Sequence, residues 1–477
     1  MKKILISLSF LVLIASVFAQ NPDRSGPPAL GQVKNLELPA PVRFTLTNGL
    51  KVVLMEKHNV PMVQLNVLIQ TGNYDDPQGK EGLTSFVMDA LDEGAGNLSA
   101  LQLSDEIEYL GAQIGSGSRP FSSEVNCTAP VGRLQEVLAL MSTIVLKPTF
   151  PDAELDRLKK LRLNGLLQSY DEPNAIAQRA FNQLMFTDGS PYGRFANDRT
   201  IRSYLREDLV AFHRTHFVTG NTTIIVAGDV TKSSILPLLE KFFAAYPKGN
   251  APKKNRPLPT QVKGRTIYVI DKPGAAQSVI SIGRLGPARN DPAYYAVNVL
   301  NTILGGSFTS RLNSNLREQH GYAYGASSGF SFWNMPSPFT AGSSVQTDVT
   351  GPALKEFFNE FEKIRQPIPQ DELTRGKNYN ALGYAGRFET NSDLAGILGA
   401  QILYDLPDGY YNGYVGKILA VTGESVTAAA SQFIVPDNML VVVVGDRSKI
   451  EAGIRQLNLG EIKLLTIEDV LGKKPVL

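Results

Sequence analysis

The 477-residue chain sets 47 lysines and arginines against 45 aspartates and glutamates, and a net charge of +2 argues against a nucleic-acid binder. With 43% hydrophobic and 19% charged residues it is neither disordered nor collagenous, and it has apolar material for several cores. One cysteine, Cys127, excludes an intrachain disulfide framework and any multi-thiolate metal site within one copy, so a metal site would have to draw on the four histidines, His58, His213, His216 and His320, or on carboxylates.

In chain order, Lys2-Lys3, an apolar run from Ile4 to Phe18 and the small residue Ala19 before Gln20 have the layout of a secretory signal. The run is shorter than the ~18–20 residues a spanning helix needs. Residues 1–19 are therefore expected to be cleaved, leaving a periplasmic or secreted chain with no membrane span. Residues 20–41, rich in Pro, Gly and Asn, read as an extended arm. Asn48-Gly49 between alternating runs predicts a hairpin with a type I′ turn within Phe44–Leu54. Met62–Thr71 reads as a strand and Leu83–Leu91 as a buried helix start. Glu124–Ala129 alternates as a strand that buries Cys127 as a small hydrophobe. His213 and His216, three apart on a predicted helix over 208–215, have no carboxylate at helical spacing, and a structural or solvent-facing role is expected for both.

Pro247–Pro259 has linker composition and divides the chain into a first unit, 42–247, a linker, 248–261, and a second unit, 262–477. The units repeat. Pro151-Asp-Ala-Glu-Leu-Asp-Arg157 returns as Pro369-Gln-Asp-Glu-Leu-Thr-Arg375, and a run from Asn221 to Gly228-Asp229 returns from Asn438 to Gly445-Asp446, both at a spacing of about 218 residues. The proline motif reads as a helix start with acidic residues in its first turn. The closing runs read as strands buried on both faces. The pattern predicts an α+β fold of two homologous domains, each a mainly antiparallel sheet covered by helices on one side.

In the second unit, Leu304-Gly305-Gly306-Ser307-Phe308 leads into a predicted helix with apolar positions 308, 312 and 316, which Gly321 should end. Arg317 then lies near a helix end and Tyr324 at the start of the next strand. A surface pairing of Arg317 with Glu318 or Glu356, and an amphipathic strand position for Tyr324, is the structural alternative. Phe330, Phe332 and Trp333 are expected to pack in the core or a loop.

Leu46-Thr47-Asn48-Gly49-Leu50, Gly82-Leu83-Thr84-Ser85-Phe86-Val87-Met88-Asp89, the two Asn-to-Gly-Asp strands and Leu304-Gly305-Gly306-Ser307-Phe308 through Arg317-Glu318 together resemble the insulinase/pitrilysin-like zinc peptidases, over nearly the whole chain from Val42. The resemblance implies that the two domains form half of a clamshell around a peptide chamber. Active members carry H-x-x-E-H, two imidazoles for Zn²⁺ around a general base, and a glutamate from a later helix. Here that window is Ser85-Phe86-Val87-Met88-Asp89, so Ser85, Met88 and Asp89 stand at degenerate positions, and Leu163-Asn164-Gly165-Leu166 holds no carboxylate. A hydroxyl and one carboxylate make a poor zinc site, so this chain is expected to hold no metal. The spacing of Arg317 and Tyr324 matches the Arg/Tyr pair that the family's second domain offers to the zinc-bearing domain, and Gly305, Gly306 and Ser307 become candidates for contact with substrate backbone. The resemblance implies an incomplete subunit whose homologous partner binds zinc and whose substrate is a peptide. The alternative is a pseudoenzyme that serves as a scaffold or peptide-binding protein.

Overall fold

Each half closes on a strand too apolar to face water on either side: Thr222–Gly228 and Leu440–Gly445 are buried along their whole length. A computed structural model describes residues 35–186 and 190–476, so the expected signal segment and most of the arm lie outside the described residues. Among the described residues no helix is long and apolar enough to cross a membrane.

The first half contributes β1 (Val42–Thr45), β2 (Lys51–Glu56), β3 (Met62–Ile69), β4 (Gln113–Ser118), β5 (Ser123–Pro130) and β6 (Thr222–Gly228). The second contributes β7 (Thr266–Asp271), β8 (Gln277–Gly286), β9 (Ala323–Phe330), β10 (Ser337–Gln346), β11 (Leu440–Gly445) and β12 (Glu461–Leu465). Hydrogen bonding orders them β1-β2-β6-β3-β5-β4 and β9-β10-β8-β11-β7-β12. Read inward from β4 and from β9, five strands correspond one to one, and the parallel pair β2–β6 has its counterpart in β7–β11. The last strands break the repeat, since β1 runs antiparallel to β2 whereas β12 runs parallel to β7.

The first hairpin forms, but not with a type I′ turn. Gly49 N–H donates to the Leu46 carbonyl at 2.8 Å, which centres the turn on Thr47-Asn48, and of these turn residues only Gly49 has positive φ. Asn48 is held instead by its side chain, which donates to the Phe243 carbonyl at 2.8 Å and accepts from Leu50 N–H at 3.0 Å.

The helices that matter for the site are α1 (Leu83–Asp89), α2 (Leu134–Leu146), α3 (Asp152–Ser169), α4 (Pro173–Met185) and α5 (Arg206–His216) in the first half. In the second they are α6 (Tyr294–Leu304), α7 (Thr350–Lys363), α8 (Gln370–Leu382) and α9 (Asn391–Leu403). The repeated proline motif starts α3 and α8, with Pro151 and Pro369 at their N-caps. Each sheet carries its own helices on one face, α1 and α2 on β5, and α6 and α7 on β9 and β10.

The opposite face of each sheet is covered over its central strands by a helix from the other half. Helix α4 lies on β8 and β11, and α9 lies on β3 and β6. Their contacts are close. A Cβ at Gly283 of β8 would fall 2.7 Å from the Phe181 ring of α4, and one at Gly399 of α9 would fall 3.6 Å from Ile225 of β6. The exchange explains why β6 and β11 are apolar on both faces.

Candidate functional site

Helix α1 is short and almost wholly buried, with Phe86, Val87 and Met88 at 0% exposure. Its start is held by Asp76, whose carboxylate accepts from Gly82 N–H, Thr84 N–H and the Thr84 hydroxyl at 2.6–2.8 Å. Ser85 and Asp89 are four apart and share one helical face. Arg162 of α3 reaches both: Nη1 donates to Ser85 Oγ at 3.0 Å and to the Gly82 carbonyl at 3.2 Å, while Nη2 donates to Asp89 Oδ2 at 2.6 Å. Its guanidinium also lies 5.1 Å from the centre of the Phe86 ring.

The side chains at the degenerate motif are thus already neutralised by an organic cation. Met88 is buried and offers no proton acceptor, and Leu163 and Leu166 of α3 are buried as packing residues. The donor set does not fit zinc: one hydroxyl and one carboxylate remain, and both bind a positive group that repels a second cation. Arg162 stands one position before the 163–166 window, and because Asp89 is exposed and could be satisfied by water, the sequence carries no signal that demands this partner. Restoring imidazoles alone is expected to fail. Ser85→His with Asp89→His should bind zinc about a hundredfold more weakly than the same pair combined with Arg162→Ala, as measured by competition with a chromophoric chelator.

His213 and His216 do not converge. His213 Nε2 lies 2.8 Å from the Val145 carbonyl of α2, with its ring stacked on Phe217, whereas His216 Nδ1 lies 3.1 Å from the Thr71 hydroxyl. Burial lowers the proton affinity of both, that of His216 to about 4. Because the folded value lies below the unfolded 6.5, this contribution to stability is complete above about pH 6.5 and is lost as the pH falls toward 4. The urea midpoint is expected to drop over that window, and His216→Gln should remove part of the drop. Cys127 is buried, and burial pushes its thiol up to about 12, which leaves no nucleophile there.

The second cluster is built by the Gly-Gly segment and the following helix. After α6, Gly305 packs so closely on Ser328 of β9 that a Cβ would fall 2.4 Å from its backbone nitrogen, and Gly306 is similarly tight against Asn301. Internal packing alone therefore requires both glycines, and Ser307 Oγ donates to the Thr302 carbonyl at 3.0 Å. Asn313 fixes the geometry by donating to the Phe308 carbonyl at 2.6 Å and accepting from Ala326 N–H at 3.2 Å.

Arg317 sits on a π-helical turn, Ser314–Gln319, rather than an α-helix; Asn315 anchors the turn to Glu356 and Glu360 of α7. Such turns concentrate at functional sites. A register shift in β9 between Ala323 and Ala326 re-aims Tyr324. Arg317 and Tyr324 meet: the guanidinium lies 5.2 Å from the Tyr324 ring centre and 4.6 Å from that of Phe308. Tyr324 is 89% exposed and so does not fill a strand's buried face, although Arg317 Nε does pair with Glu318 at 3.2 Å. Phe308 lies outside the helix and is 66% exposed, where the apolar spacing placed it on the buried stripe of Leu312 and Leu316. A cation held between two exposed aromatic rings is an unusual surface, because the rings gain little from packing.

Residues 51–190 match the family model "Insulinase (Peptidase family M16)" and residues 204–380 match "Peptidase M16 inactive domain". An uncharacterized zinc protease of Rickettsia felis is 24% identical over 335 residues, covering 70% of this chain and 80% of that one. The crystal structure of a peptidase M16 inactive domain from Pseudomonas fluorescens superposes with a TM-score of 0.79 at 28% identity, covering 85% of this chain and 98% of that one. The periplasmic protease PqqL of Escherichia coli shares the fold at a TM-score of 0.73 and 17% identity, over 91% of this chain and 50% of that one.

Proposed function

We propose, from the premise that this chain belongs to the insulinase (M16) peptidase family, that it is the non-zinc subunit of a heterodimeric metallopeptidase. Residues 42–247 and 262–477 are its two domains, and a homologous zinc-bearing partner supplies the other half of a peptide chamber. The observation that carries this reading is the asymmetry between the two clusters: Arg162 fills the degenerate motif of the first half, while Arg317 and Tyr324 of the second stand together at the surface. Cleaving a peptide bond places negative charge on the carbonyl oxygen. A phenolic O–H donates to that oxygen, and a guanidinium holds a nearby carbonyl or carboxylate in a fixed fork. Neither group activates water, so both need a centre on the partner. Of the three residues before Phe308, the exposed Gly306 and the half-buried Ser307 are assigned to contact with the substrate backbone, whereas Gly305 is buried against Ser328 and serves packing. The signal layout, together with the periplasmic relative, supports a location outside the cytoplasm.

The test is reconstitution. This chain is mixed with a homologue of similar length that carries H-x-x-E-H, and cleavage of a quenched fluorescent peptide is followed. Activity is expected only in the mixture, and Arg317→Ala should reduce its kcat/KM on the order of tenfold or more. A mixture whose activity ignores Arg317→Ala would make this chain a scaffold. Stoichiometric zinc and cleavage by this chain alone would overturn the proposal.

A further inference from the structure

Where the turns of the two sheets meet, a cavity of about 280 Å³ opens between the β4–β5 turn and the β9–β10 turn. Phe121, Trp333 and Tyr404 wall it, and Arg119, Lys254 and Arg256 line it. The charge of Arg256 is already taken, since Nε and Nη2 donate to the two oxygens of Asp75 at 2.9 and 2.6 Å. Among the described residues the hydrogen-bond partner of Lys254 is neutral, the Gln70 carbonyl. Among the described residues neither Lys254 nor Arg119 has a carboxylate within ion-pair distance. Burial first, and then the adjacent Arg256, push the Lys254 ammonium down to about 8 against a smaller opposing pull from Asp75. The aromatic wall is rigid: Trp333 stacks on Phe186 at 5.7 Å and meets Phe121 edge-on at 5.1 Å.

Two cations without a carboxylate in direct contact, the nearest negative charges being Asp75 and Glu124, stand beside fixed aromatic rings and suit an anion carried on an apolar body. The volume suits one side chain rather than a folded partner. We propose that this pocket binds a peptide carboxylate, either a free C-terminus or an acidic side chain, with Arg119 and Lys254 as its charge contacts and Phe121 and Trp333 against the adjoining apolar group. The proposal rests on the reading of the chain as a peptide-handling subunit and adds a preference for acidic or C-terminal segments.

Trp333 is the only tryptophan, and it borders both this cavity and the neighbouring one lined by Phe181 and Ser328, so its emission, excited beyond the tyrosine band, detects binding and the Arg119 and Lys254 variants assign it to this pocket. The isolated full chain is titrated with a short acetylated peptide ending in a free phenylalanine carboxylate, with its amide, and with that amide carrying one internal glutamate. Saturable change of emission is expected for the free acid, the glutamate peptide or both, which identifies the source of the carboxylate. The neutral amide should bind at least about tenfold more weakly, and Arg119→Ala and Lys254→Met should each weaken the acidic ligand about tenfold. Arg119 is exposed, so its substitution leaves the fold intact even where that of Lys254 does not. Equal binding of the neutral amide, no saturable change with any peptide, or indifference to Arg119→Ala overturns the pocket. Because no partner is present, failure of reconstitution sinks the subunit reading without touching this result, and the reverse also holds.

Discussion

Replacing Tyr324 with phenylalanine is expected to lower kcat of the reconstituted pair about 10²- to 10³-fold, the usual consequence of removing one donor to a developing oxyanion. KM should change little, because the lost bond strengthens only as charge moves onto the carbonyl oxygen. The substitution is clean for a structural reason. Tyr324 is 89% exposed, and its ring, which phenylalanine keeps, supplies the stack on Arg317. Folding stability should therefore stay within about 0.5 kcal/mol, as for most surface changes. Retention of kcat within about threefold would remove Tyr324 from the chemistry.

Phe181→Ala should produce the largest loss of stability. Phe181 is 4% exposed and presses from α4 onto Gly283 of β8, a strand of the other half. Glycine has no side chain to swing into the space, so the cavity persists, and buried Phe→Ala changes cost about 3–5 kcal/mol. That is a large share of the roughly 5–15 kcal/mol that holds a typical domain together. The loss should be felt in both halves at once. Urea unfolding followed by Trp333 emission and by far-ultraviolet circular dichroism should give one coincident transition at a lower midpoint. Two separated transitions would show that the halves unfold independently.

Sequence patterns located the first hairpin, the strands that begin near Met62 and Glu124, the two closing strands, the repeat and the helix starts after Pro151 and Pro369, since each depends on spacing along one or two neighbouring elements; the pairing of Arg317 with Tyr324 rested on the family resemblance, as spacing alone also allowed the contact of Arg317 with Glu318. What they missed depends on contacts between distant segments. The turn at Thr47-Asn48 departs from type I′ because Phe243, far along the chain, holds Asn48. Arg162 escaped notice because the azimuth of α3 against α1 decides which of its residues meets Ser85 and Asp89. Phe308 was misplaced because the Gly-Gly segment breaks away from the helix before the apolar stripe begins. The reciprocal covering of the sheets left one trace, strands apolar on both faces, and that trace does not say whose helix covers them.

The same covering sets a schedule for synthesis. The last strand of the first sheet ends at Gly228, but its lid, α9, begins only at Asn391. At about 5–20 residues per second, those ~160 intervening residues take roughly 8 to 30 seconds to be made. A chain that enters its folding compartment N-terminus first can form the sheet before its cover arrives, and it presents an apolar surface until Asn391 and the residues after it have followed. A holding chaperone that binds extended apolar segments has its longest opportunity there, and a chain cut short between the two points would be prone to aggregate.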